Sequence, residues 1–90
     1  MNRLFVASLK YDVTEDDLSA IFSEIGPLKE CVIIKDKYSG NSKGWGFVEF
    51  QSPLDAETAL QRLDESEVKG RRIVVREATK PRRKENESRT

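Results

Sequence analysis

Eight residues constrain this chain more than any others: Lys43, Gly44, Trp45, Gly46, Phe47, Val48, Glu49 and Phe50. The run is rich in aromatic and β-branched residues and predicts a strand. Side chains alternate across a strand. Val48 and Phe50 therefore share one face with Gly46, while Trp45, Phe47 and Glu49 share the other. Both faces carry large apolar groups. Residues 4–9 pose the same problem, because Leu4 and Val6 alternate with Phe5 and Ala7. Placing Leu4, Val6, Val48 and Phe50 in the core sets Phe5, Trp45 and Phe47 on the opposite face. The reverse parity would expose those four and bury Glu49, because a one-residue slip flips a whole face. The chain needs a sheet with one covered face and one bare face. The bare face carries three rings, against ordinary burial preference.

The remaining elements supply the cover. Thr14 opens a helix as its N-cap, and Glu15, Asp16 and Asp17 suit the positive end of the helix dipole. Leu18, Ile21, Phe22 and Ile25 follow as one apolar stripe. Gly26 is expected in a left-handed cap, and Pro27 prevents continuation. Residues 30–35 predict a second strand with Cys31 and Ile33 inward and Glu30, Val32 and Ile34 outward. A turn-rich loop over 36–42 leads into the third strand at 43–50. Ser52 and Pro53 start a second helix, with Ala56, Ala59, Leu60 and Leu63 on its buried stripe. Residues 72–77 predict a fourth strand, with Ile73 and Val75 inward and Arg72, Val74 and Arg76 on the bare face. The order strand, helix, strand, strand, helix, strand predicts an α+β, ferredoxin-like βαββαβ sandwich. Both helices pack on one face of a four-stranded antiparallel sheet. From Thr79 onward no apolar residue has a partner, so 1–78 reads as the domain and 79–90 as a basic, disordered tail.

Composition narrows the chemistry. Ninety residues make one domain. A 37% hydrophobic and 36% charged composition argues against wholesale disorder. A single cysteine, Cys31, forbids an intrachain disulfide, and it reads as a small core residue. The absence of histidine excludes Cys/His zinc sites and His-based triads. No acidic run reads as a calcium loop and no loop reads as a phosphate cradle, so no metal, cofactor or catalytic residue is assigned. No apolar run approaches the roughly 20 residues of a membrane helix. Residues 1–9 lack a secretory layout, and the expected setting is intracellular, nuclear or cytoplasmic. The net charge is +0 but unevenly spread. Residues 1–68 carry 7 basic and 13 acidic side chains, whereas residues 69–84 carry 8 basic and 1 acidic. A basic segment on an acidic body suggests a polyanion contact.

The bare face fits unpaired bases. Flat rings stack on nucleobases with little base preference, and a duplex hides those base faces. Lys43 starts the strand that carries Trp45 and Phe47, where it can meet a phosphate. Residues 43–50 resemble the ribonucleoprotein octapeptide of the RNA recognition motif, K/R-G-F/Y-G/A-F-V-x-F/Y. Trp45 stands where Phe or Tyr is usual. Residues 4–9 resemble the hexapeptide of the same family, with Ser8 in place of its usual Asn. The resemblance covers residues 3 to about 78 and extends to small glycine-rich RNA-binding proteins, without their glycine-rich tail.

The resemblance implies roles by position. Phe5 and Phe47 are the stacking aromatics, Trp45 inserts against sugars between two bases, and Lys43 contacts phosphate. The end of the fourth strand holds bases by main-chain groups, which implicates Arg76, Glu77 and Ala78. Arg72 joins them from the same strand. Lys80 and Arg82, in the run Lys80-Pro81-Arg82-Arg83-Lys84, read as phosphate contacts or a nuclear signal. Gly46 reads as a site of helix–sheet packing. The expectation is a monomeric, non-enzymatic domain for single-stranded RNA. The alternatives are a protein-interaction module, with a partner on the sheet aromatics or the helical face, and general single-stranded nucleic acid binding.

Overall fold

The alternation of residues 4–9 becomes β1 (Arg3–Ala7), in which Leu4 and Val6 are fully buried and Phe5 is only half-buried. The computed structural model describes residues 1–78. The expectations for residues 79–90, including Lys80 and Arg82, lie outside the described residues. After β1 come α1 (Glu15–Phe22), β2 (Leu28–Lys35), β3 (Ser42–Phe50), α2 (Pro53–Leu63), β4 (Glu67–Val68), β5 (Arg71–Arg72) and β6 (Val74–Glu77). The main sheet has the order β2-β3-β1-β6, and every neighbouring pair is antiparallel. This is the α+β sandwich that the element order predicts. One sheet face supplies Leu4, Val6, Ile33, Val48, Phe50 and Val75 to the core, which Leu18 and Phe22 of α1 and Ala56 and Ala59 of α2 close. The two alanines let α2 lie close to the strands. The Phe22 and Phe50 rings meet at 6.3 Å between centroids.

Local chemistry sets the helix starts. Thr14 Oγ1 accepts the Asp17 N–H at 3.1 Å, and Asp17 Oδ2 accepts the Thr14 N–H at 3.0 Å. This reciprocal capping box satisfies two donors that would otherwise be orphaned. Ser52 caps α2 by accepting the Leu54 N–H at 3.2 Å, with Pro53 as the first helical residue.

Three expectations need correction. The α1 helix ends at Phe22, and Gly26 does not take a left-handed conformation. Ser23 caps the helix, while Gly26 makes room for α2, since a Cβ there would land on the Asp55 carboxylate. Gly46 serves packing between strands, because a Cβ there would strike the Val32 carbonyl oxygen and lie 2.9 Å from Ile33 Cα. The fourth strand of the sheet begins at Val74 and not at residue 72. Arg71 and Arg72 instead pair with Val68 and Glu67 in a small hairpin. Lys69 and Gly70 form its turn with φ of 53° and 85°, the positive values that a tight two-residue hairpin loop requires. Ile73 stays buried, as expected, and its N–H donates to the Ser66 carbonyl at 2.9 Å.

Candidate nucleic-acid interface

The two central strands of the sheet carry the three aromatics on the face away from the helices. Phe5 lies directly opposite Phe47 in the β1–β3 register, as Leu4 lies opposite Val48 on the buried side. The ring centroids are 5.6 Å apart for Phe5 and Trp45, 5.8 Å for Phe5 and Phe47, and 5.8 Å for Trp45 and Phe47. Trp45 and Phe47 meet edge to face at 85°. These spacings fall in the favourable range for aromatic pairs. Each ring is half-buried because it leans on the other two, and its remaining surface faces solvent. Val32 stands opposite Phe47 and Val74 opposite Ala7, so the floor around the rings is apolar.

Charged groups ring this platform. The Arg3 guanidinium lies 4.6 Å from the Phe47 ring centroid. It also pairs with Glu30 at 3.5 Å and with Glu49 at 3.6 Å. Arg3 and Glu49 are register partners on the aromatic face. Lys43 is exposed at the start of β3. At that end of the sheet Phe5, Trp45, Lys43, Ser8, Tyr11 and Arg71 line a common groove. Arg71 Nε donates to Ser8 Oγ at 3.3 Å. Arg76 emerges opposite Phe5, but its Nη1 donates to Asp64 Oδ2 and to the Val75 carbonyl, both at 2.9 Å. The Asp64 carboxyl is held below its usual range, first by the Val75 N–H that donates to it and then by Arg76. The β2–β3 turn is fastened by Asp36, whose carboxyl is lowered by the N–H groups of Ser39 and Tyr38. Among the described residues no group of three Cys, His, Asp or Glu side chains is placed to hold a metal ion, and no helix is long and apolar enough to cross a membrane.

A stacking platform with cations at its rim is a surface for bases and phosphates. The family model for the RNA recognition motif matches residues 4–74. The chain belongs to the RNA recognition motif family. This family is non-enzymatic. The motif here is 38% identical over 73 residues to Glycine-rich RNA-binding protein 1 of Mycosarcoma maydis, covering 81% of this chain and 42% of that relative. It is 40% identical over 79 residues to RbpA of Synechocystis sp., covering 88% of this chain and 77% of RbpA. The chain thus spans less than half of the fungal relative and most of the cyanobacterial one. A solved Sxl-lethal protein/RNA complex superposes with a TM-score of 0.86 at 34% identity, over 92% of this chain and 50% of that one.

The structure brings Phe5, Trp45, Phe47 and Lys43 to one face, with Arg76 on the same face as the register partner of Phe5, and sets Arg72, Glu77 and Ala78 apart from them. Arg72 lies in the small hairpin opposite Glu67 and not on the sheet. Glu77 is the register partner of Leu4, which puts it on the helix-side parity at an exposed edge. The Ala78 N–H is taken by the Arg3 carbonyl at 3.0 Å. Arg3 is missing from the sequence-based set, although parity with Phe5 and Ala7 places it on the aromatic face. Tyr11 and Arg71 are missing too, since both reach the groove from outside the main sheet. Cys31 stays out of the site. Its thiol is pushed up to about 11, mainly by burial and then by the charges of Glu15 and Asp16.

Proposed function

We propose that the motif binds two or three nucleotides of single-stranded RNA across the aromatic face. Bases stack on Phe5 and Phe47, Trp45 lies against sugars between them, and Lys43 holds a phosphate. The observation that carries this reading is the contact triangle of three rings on the sheet face that the helices leave uncovered. Arg76 contributes less than its position suggests, because Asp64 already neutralises its guanidinium. Main-chain groups at Glu77 and Ala78 border the first strand, Arg72 adds charge from the small hairpin, and Lys80 and Arg82 supply further positive charge in the sequence that follows. Residues 1–78 act as the binding domain and 79–90 as a basic extension, within the nucleus or cytoplasm where RNA is met. Stacking is worth about 1–3 kcal/mol per base. Ordering a flexible strand offsets much of that gain, so a short oligomer binds at roughly micromolar concentration.

The test uses the only tryptophan, Trp45. Titration with random-sequence RNA octamers is expected to quench its fluorescence saturably. Phe47→Ala and Phe5→Ala are each expected to weaken binding about tenfold while the protein stays folded. No fluorescence change up to high micromolar RNA, with the protein folded, would overturn the reading and direct attention to a protein partner.

A further inference from the structure

Two grooves meet at one end of the platform, and Tyr11, Lys43 and Trp45 line both. Tyr11 belongs to the β1–α1 loop and is 74% exposed. It is nevertheless held in place. The neighbouring Leu9 and Val13 are buried, and the Leu9 N–H donates to the Gly44 carbonyl at 2.9 Å. The ring rests over Gly44: a Cβ at that residue would sit 3.5 Å from Tyr11 Cε1 and 3.2 Å from the Leu9 carbonyl oxygen. Gly44 itself has a φ of +86°, so both its conformation and its neighbours favour a bare backbone there. Gly44 lies between Lys43 and Trp45 in the chain. Tyr11 therefore stands beside the Lys43–Trp45 stretch of β3, beyond the end of β1.

The electrostatics favour an anionic occupant. Lys43 and Arg71 line the first groove, and the Ser8 hydrogen bond keeps the Arg71 side chain there. Among the described residues Asp36 is the one carboxylate lining either groove, and its Oδ1 is taken by the Tyr38 and Ser39 N–H groups at 2.8 and 3.0 Å. An open ring beside two cations suits a nucleotide, with a flat base and a phosphate.

We infer that Tyr11 is an additional stacking site, which holds the nucleotide next to the one at Trp45 with its phosphate beside Lys43 and Arg71. This rests on the sheet-face reading and lengthens its footprint by one nucleotide off the sheet. The test follows the fluorescence anisotropy of end-labelled random-sequence RNAs, from three to seven nucleotides long, with the wild-type chain, Tyr11→Ala and Tyr11→Phe. Tyr11→Ala is expected to bind the shortest RNAs as the wild type does and to lose about five- to tenfold on the longer ones. Tyr11→Phe keeps the ring and is expected to keep the affinity. Wild-type affinity of Tyr11→Ala at every length would overturn the inference while leaving the sheet-face reading intact. An equal loss at every length would overturn it too, as would a loss that accompanies a lowered melting temperature. Failure of the wild type to bind any of these RNAs would instead bring down the sheet-face reading itself.

Discussion

The Arg3 guanidinium occupies space above Phe47 where a base is proposed to stack. Two consequences oppose each other. The cation covers part of the ring, which competes with the base. A planar guanidinium is also a stacking surface in its own right. The carboxylates decide the balance. Glu30 and Glu49 are register partners, and Arg3 is paired with both. Removing Arg3 leaves two acidic groups facing the RNA without their counter-charge. Arg3→Ala is therefore expected to weaken RNA binding about two- to fivefold, the worth of a 0.5–1 kcal/mol exposed cation–π contact. The loss should shrink as salt is raised, because screening mutes the uncovered carboxylates. Titrations at low and high salt check this, and tighter binding by Arg3→Ala would show that the guanidinium chiefly obstructs Phe47. Strand parity makes Arg3 legible in sequence, since it is two residues before Phe5. Its attachment to Glu30 is not, because that contact spans 27 positions.

The sheet elements are protected by side chains from the helix ends. On the β2 edge the Ile33 N–H donates to Glu15 Oε2 at 2.9 Å, and on the β6 edge the Val75 N–H donates to Asp64 Oδ1 at 2.9 Å. Glu15 opens α1 and Asp64 caps the end of α2. Each carboxylate occupies a donor that another strand could otherwise pair with. Within the sheet the tightest constraint is Gly46. Its would-be Cβ meets backbone atoms of β2, which cannot rotate aside. Gly46→Ala is expected to push β2 from β3 and to destabilise the fold by about 1–3 kcal/mol, the cost of overpacking a closed site. Thermal or urea unfolding measures this, and an unchanged midpoint would mean that the strands part more easily than their register suggests. The helices were legible because their stripes and caps are local signals, as at Thr14 with Asp17. The small hairpin is not legible, because its turn begins with Lys69 at a φ of 53°, where a turn signal in sequence would carry Asn, Asp or Gly. The roles of Gly26 and Gly46 are not legible in sequence, because their neighbours, Asp55 and Val32, come from other elements. The same holds for the site. Parity alone places Phe5, Trp45 and Phe47, whereas the engagement of Arg76 depends on Asp64 at the far end of α2, and loop residues such as Tyr11 obey no period.

Three aspartates tie the parts of the molecule to one another, and their lowered carboxyls make the fold sensitive to acid. Asp17 completes the α1 cap and pairs with Lys69 of the hairpin turn at 3.2 Å. Asp36 closes the β2–β3 turn, and Asp64 joins the end of α2 to β6. All three are lowered from the ordinary value of 3.8. The leading cause in each case is a backbone N–H: that of Thr14 for Asp17, of Ser39 for Asp36 and of Val75 for Asp64. A carboxyl that is lowered in the folded state binds fewer protons there than in the unfolded chain. Its stabilisation is complete above the unfolded value and is lost as pH falls through the folded one. The melting temperature is accordingly expected to fall steadily from about pH 4 downward. The chain has no histidine, so the usual titration near neutral pH is absent and the melting temperature should be flat from about pH 5 to 7. Asp64→Asn gives the sharper test. It keeps an oxygen for the Val75 N–H but removes the charge that Arg76 faces and the proton-linked gain. The variant should melt a few degrees lower at pH 7 and converge on the wild type in acid, where the native carboxyl is protonated. A constant difference between the two proteins across the acid range would mean that Asp64 acts only through its shape, and that the acid sensitivity resides in other carboxylates.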